Sequence, residues 1–175
     1  EKVVGQPSLN PGQARQFRLR RALASRGLME AVTFSFLSER QAAAFGGGAA
    51  NLTLVNPISA DLSVMRPSII PSLLAAAARN QDRGDADVRL FEIGPIFLGD
   101  APTDQCTACG GLRHGATAMR EWHGTQRRVD VFDAKADAEV ALAALGVRTG
   151  GLQVRSDVAD YLHPGRSGQL VQGRT

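Results

Sequence analysis

Four residues have the types and the spacing to hold a metal: Cys106-x2-Cys109-x4-His114, with His123 as a fourth ligand. Zinc takes thiolate sulfur and imidazole nitrogen in tetrahedral sets. Against that reading, the usual partner cysteine of a zinc knuckle is absent. Cys106 and Cys109 also fall in a strand-like run, where residues three apart face opposite sides. A zinc-dependent nucleic-acid module therefore stands only as an alternative. The Gly46-Gly47-Gly48 triplet is not a phosphate loop, because that motif needs a lysine after glycine and neither Lys2 nor Lys135 follows one. His163-Pro164-Gly165-Arg166 reads as a turn in which Gly165 relieves backbone strain. Carboxylate pairs and Ser/His/Asp sets find no support in the spacing, so neither catalytic residues nor metal ligands are assigned.

The elements that would position such groups fit one domain. A chain of 175 residues can build one real core, with 43% hydrophobic and 21% charged residues. No apolar run of about 18 residues is long enough to span a membrane, and Glu1-Lys2-Val3-Val4-Gly5 lacks a signal-peptide layout. Net charge is +3, and all but Lys2 and Lys135 of the 20 cationic residues are arginine. Arginine suits forked contacts to carboxylate and phosphate. An RNA-handling assembly fits this bias, and so does an arginine-rich genome. Two cysteines are too few for a disulfide framework and point to a reducing, cytoplasmic setting. The non-Met start and the end at Gly173-Arg174-Thr175 suggest a piece of a longer chain.

Residues 1–12, with Gly5, Pro7, Asn10, Pro11 and Gly12, read as a linker from an upstream domain. The domain proper is expected over 13–175. A helix is expected from Gln13, with Phe17, Leu19, Ala22 and Leu23 as its apolar stripe and Gly27 at its stop. Val32, Phe34 and Phe36 alternate with Thr33 and Ser35, which predicts a strand buried on one face. Ser38-Glu39-Arg40-Gln41 has capping-box spacing for a short helix. Leu52 and Leu54 suggest a strand ended by Asn56-Pro57, and Asn56 and Asp61 are expected to cap that turn. Pro67 and Pro71 fit the first turn of a helix whose stripe is Ile69, Ile70, Leu73, Leu74, Ala77 and Ala78. Val88–Leu98 is the longest strand candidate, with a bend or an edge expected at Gly94-Pro95. Further strands are expected over Thr107–Leu112, at Leu152 and Val154, and from Leu170. Asp133 is a plausible N-cap for a helix over Ala134–Leu145 closed by Gly146. Trp122 reads as a core or loop-packing residue. The order, without βαβ alternation, predicts an α+β fold with a mainly antiparallel sheet flanked by helices.

Three segments resemble the class II aminoacyl-tRNA synthetases. Leu23-Ala24-Ser25-Arg26-Gly27-Leu28-Met29-Glu30-Ala31-Val32-Thr33 looks like motif 1, in which a long helix feeds a strand of the dimer interface. Phe34 stands near the place of that motif's proline. The Met65-Arg66-Pro67 helix is similar to the one preceding motif 2. Leu90–Phe97 resembles the first strand of motif 2, which usually ends Phe-Arg-x-Glu. This chain has Phe97-Leu98-Gly99-Asp100 there. In active members that arginine clamps the α-phosphate of ATP, and losing one such donor costs about 3 kcal/mol, or about 100-fold or more in rate. Leu98 offers no donor.

Five ordered blocks resemble the β-chain family of bacterial phenylalanyl-tRNA synthetases. They are Gly27–Phe36, Asn56–Arg66, Phe91–Gly94, Val129–Lys135 and Leu162–Ser167. The resemblance implies an inactive, catalytic-like core module. Its implied partners are the catalytic α subunit in an (αβ)2 assembly and, through the parent enzyme, tRNA. ATP and magnesium are implied for the parent enzyme, none for this segment. Arg66, Glu92 and Leu98 are expected to face the vestigial pocket, with Arg66 and Glu92 pairing with each other or with buried backbone. Arg15, Arg18, Leu19, Arg21 and Phe34 are the subunit-interface candidates. A stand-alone synthetase paralogue that binds ATP is the other alternative.

Overall fold

The computed structural model describes residues 8–118, 122 and 126–173. Residues 1–7 of the linker expected over 1–12 lie outside them. The first helix, α1 (Pro11–Ser25), opens before Gln13, so Pro11 and Gly12 belong to it rather than to a linker. Asn10 caps it, accepting from the Gln13 amide while the Gln13 side chain accepts from the Asn10 amide. Gly27 then turns the chain at φ +77°, where a side chain would be strained. The strand expected across Val32–Phe36 does not form as one. β1 (Met29–Glu30) ends before it, residues 32–35 belong to no strand, and only Phe36 enters β2 (Phe36–Leu37).

The capping box at Ser38 opens α2 (Glu39–Ala44) as expected. In place of a strand at Leu52 there is a 3-10 turn over Ala50–Leu52, with one isolated bridge from Thr53 to Val64. A second such turn covers Ala60–Leu62. Met65-Arg66-Pro67 is not helical: Met65 closes β3 (Val64–Met65), antiparallel to β2, and the helix α3 (Ile70–Asp82) starts beyond Pro67. Pro71 alone occupies its first turn.

Next comes β4 (Arg89–Phe97), followed by its antiparallel partner β5 (Gln105–Arg113). Gly94-Pro95 does not interrupt β4. The Phe91 carbonyl accepts from Ala31 and the Phe97 amide donates to Arg66, so odd-numbered residues direct their backbone groups away from β5. Proline's missing N–H therefore removes no bond from the β4–β5 ladder. The helix α4 (Val131–Ala144) begins before the expected Ala134, because Asp130 is its N-cap and Asp133 completes the capping box. The hairpin-like pair β6 (Leu152–Arg155) and β7 (Gln169–Gln172) is antiparallel, with the Tyr161–Ser167 turn between.

The main sheet has the order β1-β4-β5. The β1–β4 pairing is parallel, so the sheet is mainly but not wholly antiparallel. The two faces of the sheet are both covered, which accounts for the run of apolar residues in β4. Leu90 and Ile96, with Ala108 and Leu112 of β5, pack against Ile69, Leu73 and Ala77. Phe91 and Ile93 pack on the other face against Leu19, Leu23, Leu28 and Ala141. A third cluster of Ala42, Leu52 and Val64 seats α2 beneath β3. Burying each large aliphatic side chain supplies roughly 1.5–3 kcal/mol. Phe17 and Leu74, expected in apolar stripes, are exposed instead, and the Arg20 guanidinium lies 6.0 Å from the Phe17 ring centre. Trp122 is 96% exposed and is no core residue.

The two terminal guanidinium nitrogens of Arg127 donate to Asp133 at 2.7 Å. That hydrogen bonding, with a further contribution from the Asp130 backbone, lowers the Asp133 carboxyl to about 2. A depressed folded-state value stabilises the fold above the unfolded carboxyl range near 4, and the contribution is lost as pH falls toward 2. Asp133→Asn is therefore expected to flatten the acid limb of a thermal-stability profile between about pH 4 and 2. An unchanged limb would show that the pair contributes nothing.

Candidate functional site

Arg66 and Glu92 are buried, at 1% and 3% exposure, and they meet each other rather than an open cleft. Arg66 Nη1 donates to Glu92 Oε1 at 2.8 Å and to Thr33 Oγ1 at 3.0 Å. Thr33 Oγ1 in turn donates to Glu92 Oε2 at 2.6 Å, and Arg66 Nε donates to the Pro95 carbonyl at 2.8 Å. The Arg66 backbone is also fixed, its amide on Ser35 and its carbonyl on Phe97. Gly94 leaves room for this arrangement, since a Cβ there would lie 2.5 Å from Arg66 Nη2. Leu98, just past the end of β4, is 67% exposed. The cation that could face a phosphate is thus held by Glu92, and the strand end offers an aliphatic side chain.

The chain's free edge adjoins this pair. Within residues 31–35 the odd positions turn inward: the Ala31 amide bonds Phe91, the Thr33 amide bonds Glu92, and the Ser35 carbonyl receives Arg66. Val32 and Phe34 turn their amides and carbonyls outward, where no described residue meets them, and their side chains are 91% and 67% exposed. The interface candidates therefore divide. Arg15, Arg18, Arg21 and Phe34 are exposed, whereas Leu19 is buried in the core of its own domain.

The metal constellation does not assemble. Cys106 and Cys109 lie opposite Ile96 and Ile93 in the β5 register, an odd step apart and so on opposite faces. Cys109 is exposed at the surface, yet partial desolvation by its neighbours, and secondarily the Glu30 carboxylate, push its thiol up to about 11, away from the thiolate that binds metal. The His114 ring meets Gln81 and the Ala86 carbonyl, while His123 lies outside the described residues. Among the described residues no three His, Cys, Asp or Glu converge on a metal site. Asn56 and Asp61 are exposed, and neither side chain makes the expected capping bond. The His163 ring accepts from the Gly165 amide at 3.0 Å, closing that turn locally.

One cluster has no local signal in the sequence. Asp137 on α4 accepts from Arg26 Nε at 2.8 Å, from Arg113 Nη2 at 2.9 Å and from Arg113 Nε. Arg113 Nη2 also donates to the Arg26 carbonyl at 2.8 Å. One carboxylate thereby ties α1, β5 and α4 together, and its hydrogen bonds raise the Arg113 guanidinium further above its ordinary range.

A family model described as the phenylalanyl tRNA synthetase beta chain CLM domain matches residues 2–175. The phenylalanine–tRNA ligase beta subunit of Bartonella henselae is 52% identical over 174 residues, covering 97% of this chain and 22% of that protein. Its counterpart in Rhodospirillum rubrum is 51% identical over 167 residues, covering 95% and 21%. The chain spans about a fifth of the length of the curated relatives it matches. A solved pyrrolysyl-tRNA synthetase from Desulfitobacterium hafniense shares its fold with a TM-score of 0.59 at 20% identity, over 90% of this chain and 52% of that one. A histidine–tRNA ligase subunit from Alicyclobacillus acidocaldarius gives 0.59 at 18%, over 88% and 44%. These two likenesses establish a shared tRNA-synthetase fold.

Removing one member of a buried ion pair leaves the other uncompensated and costs about 3–5 kcal/mol, whereas replacing both with apolar groups is often close to neutral. Arg66→Met alone is expected to destabilise the protein by that amount in urea unfolding. Adding Glu92→Leu is expected to recover most of the loss. Equal stability of Arg66→Met and wild type would contradict the geometry.

Proposed function

The chain belongs to the family of phenylalanyl-tRNA synthetase beta-chain CLM domains, and we propose that it acts as the non-catalytic core module of such a β chain. In this reading residues 11–175 form the catalytic-like domain. It supports attachment of phenylalanine to tRNA by seating the catalytic α subunit within an (αβ)2 assembly in the cytoplasm. Among the described residues, no helix is long and apolar enough to cross a membrane.

One observation carries the proposal: Glu92 and Thr33 consume the Arg66 cation, and Leu98 stands where an active member would present arginine. Stabilising charge on an α-phosphate requires a preorganised donor, and the strand end has none. The residues present do not fit ATP, so no step of adenylation is assigned to them. ATP and magnesium belong, on this reading, to the chemistry of the α subunit.

The edge at Val32 and Phe34 supports α-subunit association. An extended edge with unpaired backbone groups and exposed apolar side chains accepts a further strand. The exposed Arg15, Arg18 and Arg21 of α1 are further candidates for contact with that subunit.

The β chain alone is expected to show no phenylalanine-dependent pyrophosphate exchange, and measurable exchange without α would overturn the assignment. With α co-expressed, Val32→Asp combined with Phe34→Asp in the full β chain is expected to abolish retention of α on a tagged column. Undiminished retention would remove this edge from the interface.

A further inference from the structure

A cleft of about 670 Å³ opens beside the free edge, between the segment 32–38 and the outer side of α3. That volume is within the usual range of ligand sites. Val32 and Phe34 form one wall. Ser72 and Arg79, two helical turns apart on α3, form the opposite wall, and Arg40 from the first turn of α2 and Asp61 complete the lining.

Thr33, Ser38 and Gln41 in the lining are hydrogen-bonded, but four other polar groups of the cleft find no partner among the described residues. Arg40 and Arg79 are exposed, and neither guanidinium has a carboxylate or carbonyl partner among the described residues. Asp61 lines the same cleft without bridging to either of them. Ser72 is only 6% exposed, and its hydroxyl has no hydrogen-bond partner. A buried orphan hydroxyl calls for an explanation, and a missing ligand group is one.

We propose that this cleft receives a carboxylate side chain from the polypeptide that pairs with the Val32–Phe34 edge, held by Arg40 and Arg79. The proposal rests on the α-subunit reading above and gives that partner a chemistry. Guanidinium forks match a planar carboxylate. The occupant is a peptide rather than a nucleic-acid backbone for two reasons. A paired strand covers Val32 and Phe34 with its own side chains. Asp61 opposes the dense charge of a run of phosphates more strongly than a single carboxylate, and it can accept an N–H from a peptide.

The test uses the full β chain with the α subunit, measuring affinity at low and high salt. Arg40→Glu with Arg79→Glu is expected to weaken association about ten-fold at low salt and to flatten its salt dependence. Lysine at both positions is expected to restore the salt dependence and part of the affinity, because the charge returns without the fork. Unchanged affinity and salt slope in the glutamate variant overturn the carboxylate site. If Val32→Asp with Phe34→Asp still abolishes association in that case, the α-subunit reading survives. If association persists there too, both fall. A loss of tRNA affinity with α association intact overturns the proposal in favour of a phosphate ligand.

Discussion

The buried pair of Arg66 and Glu92 is the constraint on which the architecture turns. Withdrawing two charges from water costs several kcal/mol each, and their attraction offsets this only when every remaining donor and acceptor is met. Here Thr33 serves both partners and Pro95 takes the guanidinium Nε. Meeting those demands requires three separate stretches to arrive in one register. Thr33 comes from the extended stretch after β1, Arg66 from the end of β3, and Glu92 and Pro95 from β4. Backbone bonds from Arg66 to Ser35 and Phe97 close the same junction. Gly94 belongs to this constraint, because the guanidinium takes the space of its absent side chain. The Arg66 cation is thereby part of the internal structure of the fold.

On the opposite face of the sheet, Asp137 plays a comparable part with a different balance. It is one carboxylate between two guanidinium groups, so the cluster keeps a net positive charge. Its partners lie on α1 and β5, and it anchors a helix whose exposed side is otherwise rich in alanine. The apolar clusters supply most of the driving force for collapse, while these two polar junctions fix how the layers align.

Much of the fold was legible because its signals are local. The Ser38–Gln41 box, the α3 stripe at Leu73 and Ala77, and the long apolar run of β4 each lie within one element. The synthetase resemblance was legible for another reason, since its blocks fall in order along the chain. The misreadings have physical causes. Asn10 and Gln13 form a cap, but their neighbours Pro11 and Gly12 carry the composition of a linker. Asp130 and Asp133 are both acids suited to a cap, and spacing alone does not say which comes first. Alternation at Val32–Phe36 revealed an extended chain, but not that Val32 and Phe34 would face outward. Leu19 looked available to a partner because its helix is lined with arginine, yet its own sheet claims it. Asp137 meets Arg26 across 111 positions, and no window of sequence displays such a contact.

The outward edge at Val32 and Phe34 also bears on how the protein must be made. A segment with open backbone groups and bare apolar side chains templates the addition of any compatible chain, including another copy of itself. Copies whose edge stays open would stack on one another or be degraded. The liability grows with the concentration of copies whose edge stays open, and it ends wherever that edge is paired.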